Sequence, residues 1–281
     1  MGADFYDGDN DGLYNPVDLN GNNTWDINED RPDFLGDVTA WCTFNDAVPG
    51  TWRRYSDQQP MGIEIQQTVF AWGENVSDPI DNMIFIRYRI LNTGTVSNKF
   101  DSVFFSAWSD PDLGDPSDDL VGSDVFLNSG YVYNNGPDGS YGSNPPALAI
   151  PILQGPAVYI PGETFLDMNS NGVYDNGIDV PLDSAYINNG PVIGTQVLPG
   201  AKNQDISSFI HYMGGDPILN DPNNAVEART YLLGLTRLGI PVDPCNWSYG
   251  QVLGGVNCAT IDPRFLYSGN PVSSVGWINS V

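Results

Sequence analysis

The clearest secondary-structure signal in the chain is NMIFIRYRILN, residues 82–92. Its side chains alternate between two sets, which are Met83, Phe85, Arg87 and Arg89 on one side and Ile84, Ile86, Tyr88 and Ile90 on the other. Successive side chains of a strand point to opposite faces of a sheet, so a period of two with the charges on one side is typical of a half-buried antiparallel strand.

Two neighbouring stretches have a similar composition. They are GIEIQQTVFAW (62–72) and KFDSVFFSAWS (99–109), and a turn signal at residues 92–95 precedes the second. Both are rich in β-branched and aromatic residues and are bounded by turn residues, which favours strands. Three such strands close together in sequence predict a mostly β fold with an antiparallel β-sandwich or jelly-roll-like core.

One or two short helices are expected beside this core. Cap candidates at residues 221–224 precede AVEARTYLLGLTRLG, whose spacing of apolar residues predicts a helix ended by Gly239 and Pro241. DISSFIHYM (205–213) is a weaker helical candidate. GYVYNN and the Gly/Pro-rich residues that follow, up to residue 162, predict a long ordered loop region or a short edge strand.

Three stretches repeat one oxygen-rich pattern, and they are DGDNDGLYN (7–15), DLNGNNTWD (18–26) and DMNSNGVYD (167–175). Each has Asp or Asn at positions one, three, five and nine, and an aromatic residue at position eight. Calcium takes six to eight oxygen ligands in a flexible cage, and alternate side chains, a position-seven carbonyl and a closing carboxylate supply them. The pattern therefore predicts long calcium-binding loops, with calcium as the cofactor.

The predicted ligands follow position by position. They are Asp7, Asp9, Asp11, Leu13 (carbonyl), Asn15 and Asp18 as closing acid for the first loop; Asp18, Asn20, Asn22, Thr24 (carbonyl), Asp26 and Glu29 or Asp30 for the second; and Asp167, Asn169, Asn171, Val173 (carbonyl), Asp175 and Asp179 for the third. The alternative is a turn stabilised by Asp and Asn side chains without an ion. That alternative is stronger for the second loop, which lacks the position-six glycine that Gly12 and Gly172 supply.

A further acidic segment, DPDLGDPSDDLVGSD, follows the third predicted strand at residues 110–124. Carboxylates this dense repel one another unless a cation lies among them. We expect a fourth cation site here, with Asp110, Asp112, Asp115 and Asp119 as ligands. A solvated acidic loop is the alternative.

Charge limits the classes of partner. The chain has 35 acidic against 10 basic residues and a formal net charge of −25. This argues against nucleic acid, which needs a basic surface, whereas bound cations would offset the self-repulsion of such a charge. The longest apolar runs, at residues 83–86 and 103–105, are far too short for a transmembrane segment.

We expect three consecutive parts within one compact unit. They are a calcium-loop segment at residues 1–48, the antiparallel β-sandwich core at residues 49–160, and residues 161–281 with a calcium loop, a helix and closing segments. The start MGAD lacks the features of a signal peptide, so we expect a segment of a longer protein. Cys245 and Cys258 are candidates for a disulfide that leaves Cys42 free, and three small buried thiols are the alternative.

An enzyme is not expected. The single histidine, His211, has no GxSxG elbow, CxxC pair or phosphate-binding glycine motif to accompany it. A glycosidase that uses two carboxylates stays open, with Glu64 and Glu163 as candidate acids.

A family resemblance rests on several phrases, which are RYRILNTG (87–94), SDPDLGDPSDDLVGSD (109–124) with GYVYNN and NPPA after it, FLDMNSNGVYDNGIDVPLD (165–183), LLGLTRLGIP (232–241) and FLYSGNPVSSVGW (265–277). In these phrases the chain resembles large secreted or cell-surface proteins of bacteria that export proteins by the type IX secretion route. The resemblance implies a multidomain extracellular protein with calcium loops.

We expect the chain to be a secreted, calcium-stabilised structural or adhesive segment of a bacterial surface protein or filament, in which calcium is structural. The expected partners are Ca²⁺ and neighbouring β-domains or copies of the chain itself. The alternative is a carbohydrate-binding module, or an accessory domain of a polysaccharide-acting enzyme, that binds glycans. Tyr131, Tyr133 and Tyr141 would then offer ring faces to sugars.

Overall fold

The computed structural model describes residues 3–73, 79–134 and 136–241, together with the backbone of residues 277–280. Its strands are β1 (Phe5–Tyr6), β2 (Arg31–Pro32), β3 (Val38–Asn45), β4 (Ile63–Ala71), β5 (Phe85–Asn92), β6 (Ser106–Ser109), β7 (Asp119–Asp124), β8 (Ser129–Asn134), β9 (Ala147–Pro151), β10 (Ala157–Val158), β11 (Phe165–Leu166), β12 (Val180–Pro181), β13 (Ser184–Asn188), β14 (Thr195–Pro199), β15 (Lys202–Asn203), β16 (Ser208–His211) and β17 (Trp277–Ser280). One α-helix, α1 (Ala225–Leu232), and 3₁₀ turns at Gly50–Trp52 and Pro79–Asn82 complete the described elements. The predicted mostly β, antiparallel class is confirmed, and the sandwich arrangement within it stays a prediction.

The chain divides into two compact units. The first contains residues 1–101 and 185–199, and the second contains residues 102–184 and 200–281. The predicted Cys245–Cys258 bond lies outside the described residues, whereas Cys42 is an exposed free thiol in the first unit.

The first unit is built on the antiparallel sheet β3-β4-β5. The strands predicted at residues 62–72 and 82–92 are confirmed as β4 and β5. The alternation in β5 is also present, and the covered side is the one that carries the arginines. The Arg87 guanidinium lies 3.1 Å from Asp4 and 3.2 Å from the buried Asp33 carboxylate. Ile86 and Tyr88 on the other side are 52% and 55% exposed.

The second unit contains the apolar core. The sheets β7-β8-β9 and β16-β17-β6 belong to it, together with the ribbons β10-β15 and β11-β12 and helix α1. Its buried cluster consists of Val121, Ile206, Phe209, Ile210, Tyr212, Met213, Leu219 and Tyr231. The Tyr231 ring lies 4.6 Å from that of Tyr212, and its hydroxyl donates to the Asn220 carbonyl at 2.6 Å.

The third predicted strand is shorter than expected. Of residues 99–109 only Ser106–Ser109 form a strand, and that strand pairs with β17 instead of β5. Ser102 has a φ of 55°, a left-handed conformation that interrupts an extended run, and Arg229 donates to its carbonyl. Tertiary contacts therefore override the strand preference of this stretch.

The helical predictions are corrected at two places. Asn224 caps α1 as expected by accepting the Glu227 N–H at 3.0 Å, but the helix ends at Leu232, where Gly234 with a φ of 74° closes it before Gly239. Residues 205–213 contain no helix in this structure. Their central part is strand β16, which is buried along its length, and a short apolar run cannot distinguish the two by periodicity.

The region after residue 130 is more regular than predicted. The prediction was a long ordered loop region or a short edge strand, and the structure has the three strands β8, β9 and β10 there. Val132 of β8 is fully buried. Tertiary packing on this apolar side chain explains the strand despite the surrounding Gly, Pro and Asn.

Candidate metal centres

Each predicted calcium loop lies between two short paired strands. β1 pairs with β2, and the chain between them holds loop 1 (7–15) and loop 2 (18–26). β11 pairs with β12 and encloses loop 3 (167–175). The pairing holds the ends of each connection together, so the acids that follow a loop return to its start.

The three loops share one pattern of hydrogen bonds from backbone N–H groups to side-chain oxygens. In loop 3 the Asp167 carboxylate accepts the N–H of Asn171 at 3.2 Å and of Gly172 at 2.7 Å, and the Asn171 side chain accepts the Val173 N–H at 2.8 Å. The corresponding donors are Asp11, Gly12 and Leu13 in loop 1 and Asn22, Asn23 and Thr24 in loop 2. In loop 3 each of these oxygens accepts one N–H and retains a lone pair for a cation.

A buried acid closes each loop by accepting the N–H groups of positions two and nine. Asp30 closes loop 1 through Gly8 and Asn15, both at 2.9 Å; Glu29 closes loop 2 through Leu19 at 2.7 Å and Asp26 at 3.1 Å; and Asp179 closes loop 3 through Met168 at 2.8 Å and Asp175 at 2.7 Å. These acids are only 5–6% exposed. By these hydrogen bonds the acid that closes loop 1 is Asp30, whereas Asp18 occupies position one of loop 2. That Asp18 also binds the ion of loop 1 stays a prediction.

Left-handed backbone occurs at the same two positions of every loop. Position four is Asn10 (φ 60°), Gly21 (73°) and Ser170 (58°), and position six is Gly12 (79°), Asn23 (58°) and Gly172 (77°). Asn is one of the few residues that adopt this conformation readily. Asn23 therefore takes the place of the glycine that loop 2 lacks, so the three loops have a common path.

The aromatic residue at position eight anchors each loop to the strand before it. Ring centroids are 5.3 Å apart for Tyr14 and Phe5, 5.6 Å for Trp25 and Tyr6, and 5.4 Å for Tyr174 and Phe165. The Trp25 indole also donates to the Glu29 carbonyl at 2.7 Å. The aromatic residue at position eight is thus explained by packing, just as the Asp and Asn positions are explained by ion binding.

Loop 1 differs from the others in charge. Carboxylate oxygens of Asp7, Asp9 and Asp11 lie within 4.8 Å of one another. Desolvation raises the pKa of Asp9, and the carboxylates of Asp11, Asp30 and Asp7 raise it further against a hydrogen bond from Asp11 N–H. Like charges this close favour a cation among them.

Loops 2 and 3 relieve part of this repulsion with amides. In loop 3 the side chains of Asn169 and Asn171 donate to the Asp175 carboxylate at 2.8 and 2.7 Å. In loop 1 the direction is reversed, and the Asn15 side chain donates to Asp11 at 3.3 Å. All three donor sets consist of oxygen atoms, which suits a hard cation such as calcium.

The four predicted ligands of the acidic segment are placed differently from one another. Asp112 is exposed. Desolvation and then the charges of Asp112 and Asp221 raise the pKa of Asp110. Asp115 turns to its own loop and accepts from Ser117 N–H at 2.9 Å and Oγ at 2.6 Å. Asp119 is buried in β7.

Sequence reasoning missed Asp138, which organises this segment from a distance. Its carboxylate accepts the N–H groups of Asp115 at 2.9 Å, Ser140 at 2.7 Å and Tyr141 at 2.6 Å. The Asp115 N–H bond is the largest cause that holds the pKa of Asp138 below its usual value. The sequence signal was the turn dipeptide formed with Gly139, which does not reveal the long-range partner.

The other candidate residues lie apart from the loops. His211 is buried in β16, and desolvation lowers its pKa to about 4, so it is neutral at neutral pH. Glu64 accepts from the Gln66 side chain at 3.0 Å, and Glu163 forms an ion pair with Lys202. The rings of Tyr131 and Tyr133 are tilted by 45° and half-buried, so the two faces do not form one flat platform.

No family model, curated protein or solved structure matches the chain. Within the described ranges, no helix combines the length and apolar character that crossing a membrane requires.

Proposed function

We propose that this chain is a secreted, calcium-stabilised structural or adhesive segment of a bacterial surface protein or filament, and that calcium acts there as a structural ion. The observation that carries the proposal is the common hydrogen-bond pattern of the three loops, each closed by a buried acid. A pattern repeated at distant points of the chain is better explained by a shared ligand than by chance turns, since each copy orients the same set of oxygens.

The composition of the first unit supports a structural role for the ion. Among its described residues, the buried apolar side chains are Leu35 and Ala185. A unit with so few buried apolar side chains gains little from the hydrophobic effect, and bound metal is a common substitute. Two of the three loops lie in this unit.

We propose an extracellular setting, and the affinity known for calcium loops of extracellular modules is consistent with it. Calcium loops of extracellular modules bind with Kd values of about 10⁻⁴–10⁻³ M. Sites of that affinity are filled where free calcium is near millimolar, which fits a secreted or surface-exposed chain. The net charge of −25 supports bound cations, because unneutralised acids repel one another and oppose folding.

An uncharged sheet face supports a structural or adhesive role. One face of β3-β4-β5 presents Val38, Ala40, Cys42, Phe44, Ile65, Gln67, Val69, Ala71, Ile86, Tyr88 and Ile90, as the strand register shows. Five of these are large and exposed, from Ile90 at 40% to Val38 at 68%. Contiguous apolar surface of this kind supports contact with another protein surface, which we propose to be a neighbouring β-domain or a copy of the chain.

Calcium removal tests the proposal. Thermal unfolding is measured in millimolar calcium, after chelation with EDTA, and after replacement with magnesium. We expect a clear loss of melting temperature with EDTA and poor rescue by magnesium, which demands a tighter octahedral cage. Equal melting curves in the first two conditions would refute a structural role for calcium, and specific binding on a glycan array would favour the carbohydrate-binding alternative.

A further inference from the structure

Strand β3 is an edge strand whose outer side has no backbone partner among the described residues. The sheet order β3-β4-β5 leaves it paired on one side. Directly after β3, the Asp46 N–H donates to the Ile63 carbonyl at 3.1 Å. Hydrogen-bonded and non-hydrogen-bonded pairs alternate along an antiparallel ladder, so the even-numbered residues of β3 bond to β4. The backbone N–H and C=O groups that point outward therefore belong to Thr39, Trp41, Thr43 and Asn45.

This edge lacks the features that keep sheet edges of different molecules apart. Its sequence, VTAWCTFN, contains no charged residue, proline or glycine, and six of its eight residues are exposed. Its eight residues pair with β4 in one continuous register, without a bulge. Natural sheets usually protect an edge with charges, prolines, bulges or short strands. Of the described strands with eight or more residues, β4 is central and β5 carries Arg87 and Arg89, so β3 is the unprotected one.

The outward groups of β3 are complementary to themselves in one antiparallel register. When Cys42 of two copies lie directly opposite, Thr39 of each copy faces Asn45 of the other, and Trp41 faces Thr43. All outward residues then form hydrogen-bonded pairs, so every outward N–H and C=O group has a partner. A shift of the register by two residues leaves one outward residue of each copy without a partner in β3. Opposite residues share a face, so the two uncharged sheet faces become continuous.

Charge favours this edge for contact between two copies. Each chain carries a net charge of −25, so two copies repel each other unless they meet where neither is charged. The acids that flank β3 are Asp37 and Asp46. Pairing centred on Cys42 places Asp37 opposite Ala47 of the second copy. It places Asp46 opposite Val38, so the flanking acids do not oppose one another.

We propose that two copies of this chain pair antiparallel along β3, with the two-fold axis between their Cys42 residues, to form one six-stranded sheet. This pairing rests on the proposed structural role and deepens it by naming a second copy as the partner. The contact is isologous, so it closes as a dimer. The competing occupant of the edge is a strand of a different protein, which leaves the purified chain monomeric.

The first test measures the mass of the full chain in solution by size-exclusion chromatography with light scattering. Thr43→Pro removes an outward N–H at the centre of β3 and no backbone hydrogen bond to β4. Ile90→Pro is the matched control, because the Thr93 N–H bond to the Gly62 carbonyl fixes the same alternation in β5 and points the Ile90 N–H outward at the other edge. We expect twice the chain mass for wild type and Ile90→Pro and a single mass for Thr43→Pro. A monomeric wild type or a dimeric Thr43→Pro would overturn the proposal.

The second test uses Cys42 as a reporter and needs no substitution that affects folding. Residues opposite in a non-hydrogen-bonded pair have Cα atoms about 4.5 Å apart, within the range of about 4.4–6.8 Å found in disulfides. Cys42 is an exposed free thiol. With oxidised glutathione as oxidant, the two thiols form one disulfide and glutathione is released as two thiols. We expect peptide mass spectrometry to find Cys42 linked to Cys42, and a wild-type dimer without this link would refute the pairing.

Failure of the pairing and failure of the calcium proposal give different results. A chain whose melting temperature is insensitive to EDTA but which forms the Cys42 link contradicts only the role of calcium. A monomer whose melting temperature depends on calcium contradicts only the pairing along β3.

Discussion

Glu29 and Asp30 are consecutive residues whose carboxylates close two different loops. Glu29 accepts the N–H groups of Leu19 and Asp26 in loop 2, and Asp30 accepts those of Gly8 and Asn15 in loop 1. One buried dipeptide thus terminates both loops. The two loops can nevertheless be separated by mutation, because each acid contacts its own set of donors.

We expect Asp30→Asn to impair calcium binding by loop 1 and Glu29→Gln to impair binding by loop 2. Either amide presents an NH₂ group to a backbone N–H, which leaves a buried donor unsatisfied at a cost of about 1–3 kcal/mol. The amide NMR signals of Gly12 and Asn23 report on the loops separately during calcium titration. Loss of the Asn23 response in Asp30→Asn would contradict this assignment of closing acids.

Variants that disable one loop should each remove a fixed part of the folding stability that calcium adds. At free calcium of about ten times Kd, one site adds roughly 1.4 kcal/mol to folding stability, and three independent sites add about 4 kcal/mol. Asp7→Ala and Asp167→Ala should each lose about 1.4 kcal/mol of the calcium-dependent stabilisation, and the double variant about twice that. Denaturant unfolding with and without EDTA measures these values. A single variant that removes the whole effect would show that the sites are not independent.

Asp9→Asn should raise the melting temperature without calcium and lower it with calcium. Desolvation and neighbouring acids raise the pKa of Asp9, so its ionised form opposes folding, and that opposition disappears as pH falls through this pKa. Without calcium, the variant should melt higher than wild type at neutral pH, with a gain that shrinks in acid. With calcium it should melt lower, because the ion loses a charged ligand.

Asp18→Asn is the matched control for that experiment. The Asn23 N–H bond is the largest cause that lowers the pKa of Asp18, so its ionised form supports folding above the usual Asp range and this support is lost as pH falls. The variant should therefore melt lower than wild type at neutral pH even without calcium. Equal signs for the two variants in calcium-free buffer would refute the electrostatic account of loop 1.

Arg87→Met should destabilise the first unit far more than Arg89→Met. Removing Arg87 leaves the Asp33 carboxylate, whose side chain is 1% exposed, without its cation, and breaking a buried pair costs about 3–5 kcal/mol. Arg87 itself is partly exposed, so we expect the lower end. Arg89 is 61% exposed, and its pair with Asp4 is worth at most about 1 kcal/mol. Urea titrations of both variants compare the two losses, and equal losses would argue against a buried pair.

Gly200→Ala should weaken calcium binding by loop 3 through Tyr174. A Cβ at residue 200 would lie 2.5 Å from the Tyr174 ring, which anchors the loop on Phe165. Gly162 has the same φ of 81° but open space around its Cβ position. Gly162→Ala should therefore cost only the backbone strain of about 1–2 kcal/mol and leave the calcium affinity unchanged. Calorimetric calcium titration distinguishes the two, and similar affinities in both variants would exclude an anchoring role for Tyr174.

The loops and the two long strands were predictable because their signals are local. Asp, Asn and Gly at fixed spacings specify a turn by bonding to backbone a few residues away, and β4 and β5 show the period of a sheet directly. The choice of Asp30 as closing acid was not predictable. It depends on the pairing of β1 with β2, which brings together residues more than twenty positions apart.

Long-range contacts also account for the other differences. Residues 205–213 contain an apolar run that fits either a helix or a strand, and pairing with β17 decides for β16. The buried Oδ1 of Asp119 accepts no hydrogen bond from the described residues. Which N–H groups reach this carboxylate depends on the fold, whereas the sequence shows only a dense acidic segment. Sequence patterns locate such acids without revealing the hydrogen-bond partners of each carboxylate.

The ribbon β1-β2 has two residues in each strand, yet it spans a connection that runs from Asp7 to Asp30. Two residue pairs cannot hold such a connection by themselves. With calcium bound as proposed, each tenfold fall in free calcium above Kd removes about 1.4 kcal/mol per site, so the two loops together lose almost 3 kcal/mol. The resistance of this region to proteases is then set by the dissolved calcium around the protein as much as by the chain itself.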